Sequence, residues 1–271
     1  MDKCHIIQHG EDGFGHQLHG LFTTLILHNI RNFYFDGYAF CEKHFTFDHI
    51  SGSEAELMKQ YLIESINQFK QRYNNGPISY KNKFHAHEIY NISNIYYDKT
   101  TLYTVDNAYY FDRIQLTNQE KSIQLKNINE YKYFFQNKYL KNRLDNKNIV
   151  IHVRLGDAMT TGRGDSIDSY NSKLKLLMNK FRTRYPDHTI YLHSDGTPDF
   201  IQGYNYTFYG KETPLIDVLS DMIYSNILVC GNSSLSLISG FLGNQELIIV
   251  NDDNKLSVPV NTKKINDYLN E

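Results

Sequence analysis

The chain has 271 residues, with 28 Lys and Arg against 30 Asp and Glu, a formal charge of −2 and 41% hydrophobic residues. That length and composition fit a folded protein of one large or two smaller domains and exclude disordered, fibrous and collagen-like chains. The near-neutral balance supplies no general positive field for nucleic acid or anionic lipid.

The chain opens with a short apolar run, His5-Ile6-Ile7, and a glycine-punctuated turn, HGEDGFGHQLHG. Leu18, Leu21, Phe22, Leu25 and Ile26 then recur at helical spacing and predict a helix face aimed at a core. Strand, Gly-rich turn and helix open an α/β unit. A second helix is expected from Ser53, with Glu56 at the capping-box offset, through Leu57, Tyr61, Leu62, Ser65, Ile66 and Phe69. Asn74-Asn75-Gly76-Pro77 ends it. Residues 80–115 are aromatic and β-branched, around Ile89-Tyr90, Ile95-Tyr96-Tyr97 and Tyr109-Tyr110-Phe111, and predict short strands. Thr117 opens a polar helical stretch that runs to about Asn142.

The texture changes near Asp145, which divides the chain into 1–145 and 146–271. Beyond it, strands are expected at 149–153, 189–193, 227–230 and 246–250, with helices at 169–184, 215–224 and 234–242. Alternating strands and helices with short links predict a parallel, doubly wound sheet.

The three cysteines, Cys4, Cys41 and Cys230, are widely separated and form no Cys-x-x-Cys pair. That argues against a disulfide framework and a cysteine-based zinc site. The opening residues carry no apolar run of signal-peptide length, and no stretch approaches the roughly 18 apolar residues of a membrane span. A cytoplasmic protein without an integral span is expected. The Asn-x-Ser/Thr triplets at Asn91, Asn205 and Asn232 and the Arg163-Gly164-Asp165 tripeptide are then read as products of composition. His85-Ala86-His87-Glu88 and the group His9, His16 and His19 lack a third ligand at metal-site spacing, so no metal is expected.

In open α/β sheets ligands bind beyond the carboxyl ends of the strands. There the second half offers HVRLGD (152–157), HSDG (193–196) and GNSSLS (231–236). Arg154 suits a bidentate pair with a phosphate. Ser233 and Ser234 at a helix start make an anion site supported by the helix dipole. Asp195 matches the N1 and N2 hydrogens of guanine. Each also has a structural reading: a salt bridge for Arg154, a turn for Asp195-Gly196, an N-cap for the serines.

HVRLGD resembles the His-x-Arg-x-Gly-Asp-type motif of the fucosyltransferase superfamily, which includes α1,2-, α1,6- and protein O-fucosyltransferases. DVLSDMIYSNILVCGNSSLSLISGFLG (217–243) is similar to the later motif of that superfamily. LHSDG resembles its intervening strand end, and GFGHQLHG (13–20) its opening Gly-x-Gly-x-Gln loop. These motifs fall in the family's order, while residues 40–145 match none of them. Leu155 replaces the second basic residue usual in α1,2 and α1,6 enzymes. Trp is absent, so the Trp-containing tail of the α1,2 enzymes is missing.

The resemblance implies a GT-B-like α/β architecture, two Rossmann-like domains facing a cleft, with residues 1–145 on the acceptor side and 146–271 binding the nucleotide sugar. It implies an inverting, metal-independent glycosyltransferase that uses GDP-fucose as donor substrate, no cofactor, and a glycan or glycoconjugate acceptor. By position, Arg154 would bind the β-phosphate and stabilise the leaving group, Asp195 would read guanine, and Ser233 and Ser234 would hold the diphosphate beside His152. Gly13, Gly15, Gln17 and His19 would line the opposite wall. Asp157 and Asp165 are candidates for the catalytic base, as are Glu11, Asp12 and His16. A transferase of another nucleotide sugar and a non-catalytic nucleotide- or carbohydrate-binding protein are the alternative readings.

Overall fold

The computed structural model describes residues 5–8, 13–31, 34–35, 50–73, 82–86, 101–105, 117–155, 167–196, 203–231, 233–250 and 262–271. The chain divides into two compact units, Met1–Tyr139 and Leu140–Glu271.

In the first unit, β1 (His5–Gln8), β2 (Tyr34–Phe35), β3 (Asn82–Ala86) and β4 (Thr101–Val105) form a parallel sheet in the order β2-β1-β4-β3. The aromatic runs around Ile89, Ile95 and Tyr109 lie outside the described residues. Among the described residues three helices accompany this sheet: α1 (Phe14–Arg31), α2 (Gly52–Tyr73) and α3 (Asn118–Phe135). Leu18, Leu21, Phe22, Leu25 and Ile26 are fully buried, so the sequence stripe is the buried face of α1.

Three boundaries differ from the sequence expectation. Helix α1 begins at Phe14, with the His16 and Gln17 amides both donating to the Gly13 carbonyl. Residues 14–20 are therefore its first turns and not part of a loop. Helix α2 begins at Gly52, whose φ of 60° is in the left-handed region that favours glycine. Ser53 thus lies inside the first turn and not at the cap. Helix α3 starts as expected, with Thr117 and Glu120 exchanging the two hydrogen bonds of a capping box. It stops at Phe135 because Asn137 turns away to donate to the Tyr61 carbonyl at 3.1 Å and Ser65 Oγ at 2.9 Å, satisfying buried polar atoms of α2. Edge-to-face rings knit these helices: Phe22 with Phe135 at 5.4 Å, and Phe69 with Tyr131 at 5.2 Å.

Among its described residues the second unit holds six parallel strands: β5 (Asn148–Val153), β6 (Thr189–Ser194), β7 (Thr207–Tyr209), β8 (Ile227–Cys230), β9 (Glu246–Ile249) and β10 (Thr262–Lys264). Their order is β10-β9-β8-β5-β6-β7. The described residues of this unit also form helices α4 (Ile167–Arg184), α5 (Leu215–Tyr224), α6 (Ser234–Leu242) and α7 (Ile265–Asn270).

Alternation along the strands builds two cores. Ile149, Ile151 and Val153 of β5 meet Leu174, Leu177, Met178 and Phe181 of α4 and Ile265 and Tyr268 of α7. Val150 joins Tyr191, Leu228, Leu247 and Ile249 against Met222 of α5 and Leu237 of α6. Covered on both faces, the central strands are continuous apolar runs, as parallel sheets require. The first strand, β5, lies inside the sheet; β6 and β7 extend to one side, and β8, β9 and β10 to the other. This is the doubly wound, Rossmann-like α/β order, and its crevice opens at the carboxyl ends of β5 and β8.

Candidate functional site

Arg154 and Leu155 follow β5, Asp195 and Gly196 follow β6, and Gly231 and Ser233 follow β8. Because β8, β5 and β6 are adjacent, these residues stand at three neighbouring strand ends beside the point where the strand order reverses.

Two of the ends are tied together. Asp195 Oδ1 accepts the Leu155 amide at 2.6 Å, and its Oδ2 lies 3.9 Å from Arg154 Nε. Asp195 also sits beside Gly196, whose amide donates to Ser194 Oγ at 3.2 Å. A Cβ on Gly196 would come within 2.8 Å of Leu155 Cβ, so the two loops approach as closely as only glycine permits. The Asp-Gly pair is thus both a turn and a clasp on the Arg154 loop.

At the third end Ser233 occupies the N-cap of α6 with extended backbone, φ −110° and ψ 122°, and makes no side-chain capping bond. Its carbonyl instead accepts the Leu237 amide and Ser236 Oγ. Ser233 and Ser234 are buried. The first amides of a helix have no intrahelical acceptor and carry the positive end of its dipole, which favours an anion there.

His152, the last residue of β5 but one, belongs to the sheet face covered by α5 and α6, and its Nδ1 is buried without a hydrogen-bond partner. Burial, reinforced by His193 and Arg154, lowers its pKa to about 3, so the ring is neutral at physiological pH. Burial likewise pushes the neighbouring Cys230 thiol up to about 12, against a hydrogen bond from Ser236 that pulls it the other way.

The residues expected opposite fall in the first unit. Gly13 precedes α1, and Gly15, Gln17 and His19 lie within it. Gln17 and His19 are buried inside that unit. Burial, with His16 nearby, lowers the pKa of His19 to about 3. Asp157 and Asp165, with Glu11 and Asp12, lie outside the described residues, as do His9, His87 and Glu88. Among the described residues no group of three or more His, Cys, Asp or Glu is placed to hold a metal, and no helix is long and apolar enough to cross a membrane.

Sequence reading missed Arg143, Asp221 and His193. Asp221 is fully buried within α5, receiving Arg143 Nε at 3.1 Å and Nη2 at 2.6 Å, with His193 Nε2 at 3.1 Å. The signal was a carboxylate set among Leu219, Met222 and Ile223 on a helix otherwise dominated by apolar residues, since such a group is rarely buried without a partner.

No family model and no curated relative matches the chain in sequence. Among solved structures, the Staphylococcus aureus MnaA–UDP co-structure is similar over 94% of this chain and 81% of its own, at 9% identity and a TM-score of 0.42. The glycosyl transferase family 9 protein from Veillonella parvula is similar over 97% and 86%, at 9% identity and a TM-score of 0.41. At that distance neither likeness bears on chemistry, which the strand-end residues must carry by themselves.

Proposed function

We propose that the second unit binds a nucleotide sugar and that the chain is an inverting, metal-independent glycosyltransferase of GT-B-like design, moving fucose from GDP-fucose to a glycan hydroxyl. The observation that supports this reading is the convergence of Arg154, Asp195 and the α6 N-terminus at adjacent strand ends of a doubly wound sheet. A guanidinium and a positive helix end suit a diphosphate, whose negative charge grows as the sugar departs.

In the proposed reaction the acceptor oxygen bonds to the anomeric carbon as the bond to the β-phosphate oxygen breaks. The diphosphate leaves toward Arg154 and the Ser233 and Ser234 amides. A base takes the acceptor proton, with Asp157 and Asp165 the candidates that follow β5 in the sequence, and Glu11, Asp12 and His16 those in the first unit. His152, neutral and at the same strand end, serves as a hydrogen-bonding group to the donor. The second unit holds the donor and the first the acceptor. The choice of fucose rests on the motif resemblance. The proposed reaction runs in the cytoplasm and uses no cofactor.

A second reading, a donor with another base, is favoured by one observation. Asp195 Oδ1 already accepts the Leu155 amide and Oδ2 faces Arg154, which leaves less of the carboxylate for guanine.

Thermal-shift titrations with GDP, UDP, CDP and dTDP decide between them. Stabilisation by GDP alone supports guanosine; stabilisation by UDP or dTDP without GDP rejects it. Arg154→Ala is expected to lower kcat/KM for transfer by about 10²–10³-fold, about 2.7–4 kcal/mol in the barrier. Wild-type transfer in that variant would refute the donor site.

A further inference from the structure

The array of Arg143, Asp221 and His193 lies beneath the strand ends, and the donor reading gives it no part. Arg143 grips Asp221 through two nitrogens and reaches Asp217 with Nη1 at 2.9 Å. The Oδ2 that takes Arg143 Nη2 also lies 3.1 Å from Nε2 of His193, a side chain 2% exposed. The contact is one of ion-pair distance alone, since neither ring nitrogen of His193 makes a hydrogen bond. The other face of the arrangement is aromatic. His193 stacks on Tyr209, centroids 4.9 Å apart and planes 15° apart, and the Arg143 guanidinium lies 5.8 Å from the same ring's centroid.

The register gives this clamp a reach toward the site. Tyr209, His193, His152 and Cys230 are sheet partners in one row across β7, β6, β5 and β8. It is the last row before the ends of β5 and β6. Two residues beyond His152 is Arg154, and two beyond His193 is Asp195. The clamp also begins outside the sheet. Arg143 belongs to the segment that leads into β5, where the Lys141 amide donates to Ser220 Oγ and Leu144 enters the core.

A carboxylate with no exposure is costly to bury, and apolar residues of similar volume would serve stability as well or better. Its place beneath the two tied strand ends is what a stabilising role leaves without a reason. We propose that Arg143 and Asp221 are positioning residues for the donor site, acting through the His193 ring to fix His152 and the β6 turn that carries Asp195. This rests on the nucleotide reading above, and it concerns orientation, not contact with substrate.

The test uses the full chain labelled with ¹⁵N-histidine, with His193→Gln to assign one ring. Long-range ¹⁵N–¹H spectra of the wild type supply the reference resonances of the His193 and His152 rings. In Asp221→Asn the His152 resonances should move, and affinity for GDP and UDP, read by calorimetry, should fall roughly tenfold with the circular dichroism spectrum unchanged. Arg143→Lys keeps the charge but loses the fork, and should give a smaller shift of the same kind. Unmoved His152 resonances in Asp221→Asn overturn the proposal, as does wild-type nucleotide affinity in the folded variant. If Asp221→Asn does not fold, Arg143→Lys decides by the same two readouts. If the wild type binds no nucleoside diphosphate, the donor reading fails by itself. The relay is then judged by whether His152 responds to Asp221→Asn or Arg143→Lys, and unmoved His152 resonances overturn it.

Discussion

Gly196 shows how little space separates the loops of the candidate site. A methyl group there would meet Leu155 Cβ at 2.8 Å, next to Arg154 and beside the carboxylate that holds the Leu155 amide. Gly196→Ala removes no polar group, yet it must displace the Arg154 loop. It is expected to weaken nucleoside-diphosphate binding about tenfold while costing the fold about 1–2 kcal/mol. Calorimetric affinities beside urea midpoints separate the two effects, and unchanged affinity would show that the Arg154 loop tolerates the shift. His19 gives a prediction in the first unit. Its folded pKa of about 3 lies below the ordinary 6.5 of an exposed ring. The unfolded chain therefore binds the extra proton first as pH falls. Stability is intact above about 6.5 and declines toward 3, by about 1.4 kcal/mol for each pH unit in between. Urea midpoints at pH 7 and 4.5 should differ less in His19→Gln than in the wild type, and equal differences would show that His19 does not titrate on unfolding. The residues at the strand ends were legible in the sequence because their chemistry follows a strand directly. Arg143, Asp221 and His193 were not, since 50 residues separate Arg143 from His193 and 28 more separate His193 from Asp221, and only the packing of α5 and of the segment before β5 against the sheet brings them together.

Elements were legible where apolar residues kept a clean period. The central strands β5, β6 and β8 and the helices α5 and α6 stand where the patterns placed them, because both faces of the sheet are covered and most residues of these strands are buried. The short edge strands gave no such pattern. TFY in β7 and TKK in β10 have three residues each, none of them fully buried. Polar end signals were mixed. Thr117 and Glu120 form their capping box, and Thr117→Ala should cost about 1 kcal/mol, read as a lowered urea midpoint. Ser53 and Glu56 have the same spacing two residues too late, since Gly52 already starts α2 and the cap position is Ser51. Gly243 ends α6 for a reason that composition hides. Its φ is −95°, so the left-handed conformation usual for a terminal glycine is absent, but a Cβ would meet the Ile223 carbonyl oxygen of α5 at 2.6 Å. Gly243→Ala should therefore separate the ends of α5 and α6 and destabilise the second unit by about 1–3 kcal/mol. A neutral effect on the thermal midpoint would mean that the two helices part without cost.

For the whole molecule, where the second unit begins is a physical question about Arg143. The change in sequence texture points to residue 146, whereas contacts start the unit at Leu140. The six intervening residues supply much of what closes the sheet face under α5. Leu140 and Leu144 are buried, and the Asp145 carboxylate accepts from Tyr191 and Thr189. Arg143 pairs with the fully buried Asp221. A fragment of residues 140–271 keeps all of these, with both sheet faces covered, and should fold alone, unfold cooperatively and bind the same nucleoside diphosphate as the full chain. A fragment of residues 146–271 leaves Asp221 buried without its cation. Even with Arg143 about a third exposed in the intact chain, that loss should cost about 3 kcal/mol, a large part of the 5–15 kcal/mol on which a domain of this size stands. The shorter fragment should therefore show a markedly lower urea midpoint or remain unfolded, and Asp221→Leu introduced into it should restore part of the loss. Equal stability of the two fragments would show that the Arg143 clamp contributes nothing to the fold, and that Asp221 is tolerated in the core without it.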